Sequence, residues 1–126
     1  MARILVIDDD ELVRQTVRGI LERAGHGVDE ATDGSEGLLR ATQLRPDLIL
    51  TDILMPNQDG IEFILKLRKA DPKAKIIAMS GGGSLQPVQL LVMAKELGAD
   101  ECLSKPFARA ALLSKVELCL GTAKAL

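Results

Sequence analysis

The chain contains no tryptophan and no tyrosine, and its aromatic residues are two phenylalanines, Phe63 and Phe107. Stacking platforms for single-stranded nucleic acid are built from such rings, so that class of binding is excluded. Charge of one sign is lacking too. There are 16 Lys and Arg against 18 Asp and Glu, a formal net charge of -2, which leaves out the basic field that drives direct contact with nucleic acid. The single histidine, His26, and the two cysteines, Cys102 and Cys119, form neither a zinc-ligand spacing nor a Cys/His nucleophile pair, and both thiols read as reduced. No apolar run approaches the ~20 residues needed to span a bilayer. Met1-Ala2-Arg3 leads straight into a strand-like segment without the pattern of a signal peptide, so the expected location is cytoplasmic, away from membrane.

The 126 residues are 47% hydrophobic and 27% charged, the amount and composition of one globular domain. Apolar runs closed by a polar residue recur along it. Ile4-Leu5-Val6-Ile7 ends on Asp8-Asp9-Asp10, and Leu48-Ile49-Leu50-Thr51 ends on Asp52. Lys75 to Met79 ends on Ser80, and Ala99 to Ser104 ends on Lys105; Val28 to Thr32 is a shorter strand. Helical spacing separates them. From Glu11 to Ala24, Val13, Val17, Ile20 and Leu21 share one face while Arg14 and Arg18 lie on a solvated side, with a stop at Gly25 and Gly27. Further helices are predicted over Ser35 to Leu44, with Ser35 as cap, and over Ile61 to Ala70, Leu85 to Leu97 and Ala108 to Leu120. Five strands alternating with five helices define a doubly wound α/β domain with a parallel sheet covered on both faces.

In such sheets ligands bind beyond the carboxyl ends of the strands. Asp8, Asp9, Asp52, Ser80 and Lys105 fall at those ends. Three carboxylates crowded together require a cation, and Mg²⁺ suits a set that pairs carboxylates with phosphoryl oxygens. Beside such an ion a carboxylate can attack a phosphoryl donor, with a nearby ammonium and hydroxyl, here Lys105 and Ser80, absorbing transition-state charge. Gly81-Gly82-Gly83 is no phosphate-cradling loop, since no Gly-Lys-Ser/Thr follows it. His26, between two glycines, reads as a solvated loop residue.

Taken together, Ile4 through Asp10, Leu48 through Pro56 with Asp59-Gly60, Ala78-Met79-Ser80-Gly81, and Gly98-Ala99-Asp100 through Lys105-Pro106-Phe107 resemble the CheY-like receiver domains of response regulators. The resemblance covers essentially the whole chain, with the receiver at 1–121 and a short tail at 122–126. It implies a flavodoxin-like sheet in the order 2-1-3-4-5. It also implies that Asp52 is the phospho-acceptor, that Asp9, Asp8, Asp52 and the Leu54 carbonyl hold Mg²⁺, and that Lys105 pairs with the phosphoryl group beside a cis bond to Pro106. Ser80 would be the switch hydroxyl, in a loop whose Gly81 and Gly82 can reshape on phosphorylation. The donor would be a sensor histidine kinase or a phosphotransfer protein. The chain would be a switch rather than an enzyme, catalysing only its own phosphorylation and dephosphorylation.

Two departures from the family pattern matter. The aromatic usual three positions before the lysine is replaced by Cys102, read as buried filler, so output must be transmitted without a rotating ring. Leu54 and Gly82 occupy positions that influence phosphoryl lifetime, and neither can orient a hydrolytic water; although Gly81 leaves the site open, a long-lived phosphoryl group is expected. Leu90, Leu91 and Met93 lie in an apolar stretch too broad to be buried on every side, which points to a partner surface for an unknown target protein or a homodimer. Alternatives differ in class. A haloacid-dehalogenase-like phosphatase would need a Thr at position 12, which is Leu12, and a cap domain. A pseudo-receiver would have lost its acids. An excised receiver from a longer DNA-binding or enzymatic regulator would look identical over these residues, and the Met1 start is read as an N-terminus.

Overall fold

The computed structural model describes residues 2–53, 55, 59–81 and 87–121, without the side chains at 59, 87, 88, 90 and 91. The tail at 122–126 lies outside the described residues. Strands and helices alternate: β1 (Arg3–Ile7), α1 (Glu11–Arg23), β2 (Gly27–Ala31), α2 (Gly34–Leu44), β3 (Leu48–Asp52), α3 (Asp59–Ala70), β4 (Ile76–Gly81), α4 (Pro87–Leu97), β5 (Glu101–Lys105) and α5 (Arg109–Leu120). All sheet neighbours are parallel, in the order β2-β1-β3-β4-β5.

Period-two alternation divides the sheet's side chains between two cores. Leu5, Ile7, Ile49, Ile76 and Ala78 pack with Ala41 of α2, Phe63, Ile64 and Leu67 of α3, and Ala94 of α4. Ile4, Val6, Leu48, Leu50, Ile77, Met79 and Leu103 pack on the other face with Val17 and Leu21 of α1 and Leu112, Val116 and Cys119 of α5. Because both faces are covered, β1, β3 and β4 are apolar on consecutive residues rather than alternately. The chain steps from β1 outward to β2 and then returns past β1 to β3. The crevice at the β1/β3 ends is therefore the topological switch point where this architecture binds ligands.

Helix ends explain several boundaries. Asp10 caps α1 by accepting from the Leu12 amide at 2.9 Å, and Gly25 continues past the helix with φ +95°, a conformation open to glycine at little cost. Gly27 belongs to β2 rather than to the stop. The expected cap of α2, Ser35, is replaced by Asp33, whose carboxylate accepts from Glu36 N at 2.8 Å, while Glu36 reaches back to the Thr32 amide at 2.8 Å. That reciprocal pair satisfies two amides that a Ser35 cap would leave unpaired. Hydrogen bonding of the Thr32 amide, with the Thr32 hydroxyl and Arg40, holds the Glu36 carboxyl below its ordinary range despite some opposing desolvation. Asp59 and Gly60, expected in a loop, already belong to α3.

Two further expectations are corrected. His26 is not a freely solvated loop residue: it is partly buried and its Nδ1 accepts from the Ala2 amide at 3.1 Å. Ala99 lies outside β5, its amide donating to Ala94 O at 2.9 Å, and the strand begins at Glu101. The expected start of the fourth helix at Leu85 falls outside the described residues.

Candidate functional site

Asp8 directly follows β1 and is fully buried, and Asp52 ends β3 at 5% exposure. Such burial of two carboxylates needs counter-charge. Lys105, the last residue of β5, supplies it: its Nζ stands 2.7 Å from Asp8 Oδ2 and 3.1 Å from Asp52 Oδ2. Burial acts to lower the pKa of this ammonium, but hydrogen bonding to Asp8 and the charges of Asp52 and Asp8 outweigh it, and the net direction is upward. The lysine is thus held firmly charged. Its peptide bond to Pro106 is cis.

Asp9, which is exposed, completes the group: carboxylate oxygens of Asp8, Asp9 and Asp52 all lie within 4.8 Å of one another. Asp10 does not join them, because its carboxylate is committed to the α1 cap while its amide donates to Asp8 Oδ1 at 2.9 Å. Three carboxylates around one ammonium leave negative charge in excess at a point partly closed to water. This all-oxygen donor set fits a hard divalent cation such as Mg²⁺, with Asp8, Asp9 and Asp52 as the side chains able to hold it. The Leu54 carbonyl lies outside the described residues.

Register places the remaining groups. Asp52 is opposite Met79, and Ser80, the next residue along β4, is opposite Ser104 and 5% exposed. Gly81 ends β4 opposite Lys105. The strand ends thus bring Asp52, Ser80 and Lys105 to one edge of the sheet. Gly82 lies outside the described residues. An apolar groove of about 270 Å³, lined by Leu12, Val13, Val17 and Phe107, adjoins Lys105 and Pro106.

Gly60 carries a constraint that composition alone does not show. A Cβ there would stand 1.9 Å from the Asp52 carbonyl oxygen and 2.8 Å from that of Ile53, so the first turn of α3 presses on the end of β3 where only a hydrogen fits. Arg14 is likewise misjudged from sequence. Rather than pointing into solvent, its side chain is 12% exposed and paired with Glu30 at 2.9 Å. The signal available in sequence is Glu30, an acid on a strand packed beside α1.

Cys102 is half-buried against the α3/α4 side of the core, and its thiol pKa is raised by burial. Of the expected partner surface, Met93 is partly buried against the core, Val92 is 52% exposed, and the side chains of Leu90 and Leu91 lie outside the described residues.

A five-stranded 2-1-3-4-5 parallel sheet with an acidic group and a lysine at its switch point is the arrangement of a CheY-like signalling domain. The model of the response regulator receiver domain matches residues 4–117, and the chain belongs to this family. It is 36% identical over 122 residues to protein CcdB of Bacillus subtilis, covering 96% of this chain and 99% of that protein. It is 38% identical to the DNA-binding dual master transcriptional regulator RpaA of Synechocystis, over 95% of this chain and 49% of RpaA. The solved structure of Vibrio cholerae chemotaxis protein CheY4 superposes with a TM-score of 0.84 at 32% identity, covering 94% of this chain and 98% of CheY4. The chain therefore spans about half of some longer regulators and nearly all of other relatives. Membership of this family, which serves in two-component signalling rather than general catalysis, sets aside the dehalogenase-like alternative. Among the described residues no helix is long and apolar enough to cross a membrane.

Proposed function

We propose that Asp52 accepts a phosphoryl group from a phosphohistidine on a sensor histidine kinase or a phosphotransfer protein, and that the resulting aspartyl phosphate changes which proteins the domain binds. The observation that carries this reading is the Lys105 ammonium poised on both Asp8 and Asp52, with Asp9 alongside, at the sheet's switch point. An Asp52 carboxylate oxygen attacks phosphorus, the new P–O bond forms as the donor's P–N bond breaks, and the imidazole departs. Lys105 holds fixed positive charge beside the oxygens on which negative charge accumulates, and needs no reorganisation to do so. Ser80 presents its hydroxyl to a phosphoryl oxygen once the group is in place.

Asp8, Asp9 and Asp52 would hold Mg²⁺, which when bound neutralises the repulsion between carboxylate and phosphoryl oxygens. The protein itself orients the acceptor, supplies the ammonium and excludes bulk water from Asp8. The tie of Ser80 and Lys105 to the phosphoryl group biases two arrangements of the end of β4 and α4, which a target protein or a second copy distinguishes. The domain promotes only its own phosphorylation and dephosphorylation, in the cytoplasm. The 49% coverage of RpaA favours a second context for the same chemistry, as the receiver of a longer regulator with its own output domain.

The test is incubation with acetyl phosphate followed by intact mass. Gain of one phosphoryl mass with Mg²⁺, absent with EDTA and absent in Asp52→Asn, supports the reading. A wild-type protein that stays unmodified with both acetyl phosphate and a phosphorylated kinase overturns it.

A further inference from the structure

Beyond the residues that touch the reacting groups, one side chain reaches the acidic turn from behind. Arg14, on the first turns of α1, donates from Nη1 to the Asp8 carbonyl at 2.7 Å and from Nε to Glu30 Oε1 at 2.9 Å. Glu30, in β2, also accepts from Arg18, whose second guanidinium nitrogen donates to the Val28 carbonyl at 2.9 Å. Glu30 is thereby clamped between two arginines, and only one of these has a bond to the turn carrying the acids.

The carbonyl that Arg14 holds belongs to the peptide linking Asp8 to Asp9. Rotation of that peptide plane swings the Asp9 carboxylate relative to Asp8. The other polar groups of Asp8 are committed elsewhere: its amide donates to Ala31 O at 3.1 Å, Oδ1 accepts from the Asp10 amide, and Oδ2 faces Lys105. Arg14 therefore closes a set of contacts that leaves this peptide a single orientation. A planar guanidinium can bond a carboxylate and a carbonyl at once through a rigid fork, whereas a lysine ammonium is a point donor on a flexible stem.

We propose that Arg14, anchored by Glu30, is a positioning residue that fixes the Asp8–Asp9 peptide so that both carboxylates face one divalent cation. This rests on the reading of Asp8 and Asp9 as magnesium ligands. Groups that orient ligands from behind typically change metal affinity by tenfold or more when removed, and Arg14, which acts through backbone, belongs at the low end of that range.

The experiment is a Mg²⁺ titration of the full chain followed by amide resonances, for wild type, Arg14→Ala, Arg14→Lys, Glu30→Gln and Arg18→Ala. Arg14→Ala weakens Mg²⁺ binding about tenfold and Arg14→Lys about threefold, with Glu30→Gln between them. Arg18→Ala, which takes a contact from Glu30 but none from the turn, stays within about twofold of wild type. In the metal-free protein the Asp9 and Asp10 amide resonances move in Arg14→Ala and not in Arg18→Ala. Unchanged Mg²⁺ affinity in Arg14→Ala, or an equal loss in Arg18→Ala, overturns the proposal. Should Arg14→Ala fail to fold, Arg14→Lys and Glu30→Gln decide it on the same criteria. If wild type itself binds no Mg²⁺, the ligand reading fails. The metal-free resonances then decide separately whether Arg14 holds the turn.

Discussion

Replacing Lys105 by Met keeps most of the side chain's volume and removes the ammonium that stands 2.7 Å from Asp8 Oδ2 and 3.1 Å from Asp52 Oδ2. Asp8 is fully buried and Asp52 nearly so, so the two carboxylates would face each other without the positive charge that lies between them. Breaking a buried pair by removing one partner costs about 3–5 kcal/mol. The Lys105 side chain is 16% exposed, and some water can enter where it stood. The expected loss is therefore at the lower end, about 3 kcal/mol, or about 10 °C in Tm for a domain of this size. Urea unfolding followed by far-UV circular dichroism at neutral pH with EDTA measures it, since no Trp is present to report by fluorescence. The mechanism makes a second demand. Adding Asp52→Asn to Lys105→Met removes one of the opposed charges and should restore about half of the loss, and millimolar Mg²⁺ should restore part of it in the single variant. A Lys105→Met protein within 0.5 kcal/mol of wild type, or a penalty that Asp52→Asn does not relieve, refutes the reasoning.

Other perturbations test other parts of the account. Gly60→Ala forces a Cβ to 1.9 Å from the Asp52 carbonyl oxygen; because the obstacle is backbone, we expect a loss of about 3 kcal/mol in chemical unfolding and slower acetyl phosphate labelling of Asp52. Burial, with a smaller contribution from Asp100 and Glu101, pushes the Cys119 thiol up to about 11. Its contribution to stability is therefore fully present below the unfolded-chain pKa of about 8.5 and is lost as pH rises toward 11. Unfolding at pH 8 and pH 10.5 should show wild type losing more stability than Cys119→Ala, and at pH 8 a disulfide reagent should label Cys119 more slowly than Cys102. Equal pH slopes would contradict this. Asp33→Ala should cost about 1 kcal/mol through loss of the α2 cap, whereas Ser35→Ala should fall within about 0.5 kcal/mol of wild type.

The core fold was legible because the apolar runs of β1 and β3 end on acids, and because the helical faces containing Val17 and Leu21, or Phe63 and Ile64, are regular. Boundaries failed where two residues competed for one role. Asp33 and Ser35 are both good caps, and what decides between them is that Glu36 stands three residues after Asp33 and can return a bond to Thr32. Long-range partners were the least accessible. Neither the His26 bond to Ala2 nor the Arg14 bond to the Asp8 carbonyl follows from local pattern, since each depends on which strand lies beside which loop. The same applies to Gly60: its glycine is visible in sequence, but the Asp52 carbonyl pressed against it is not. The acids and Lys105 could be gathered in advance because the parallel sheet places every strand's carboxyl end on one edge.

The central claim is that Asp52, rather than its acidic neighbours, takes the phosphoryl group. Asp8 and Asp9 place carboxylate oxygens within 4.8 Å of its own, so position must be read directly. Acetyl phosphate treatment with Mg²⁺, reduction of the acyl phosphate with borohydride and peptide mass mapping would convert the acceptor to homoserine. The account predicts that residue to be Asp52 alone, with Asp8 and Asp9 unmodified. Homoserine at Asp8 or Asp9, or its appearance elsewhere in an Asp52→Asn protein at the wild-type rate, would contradict it.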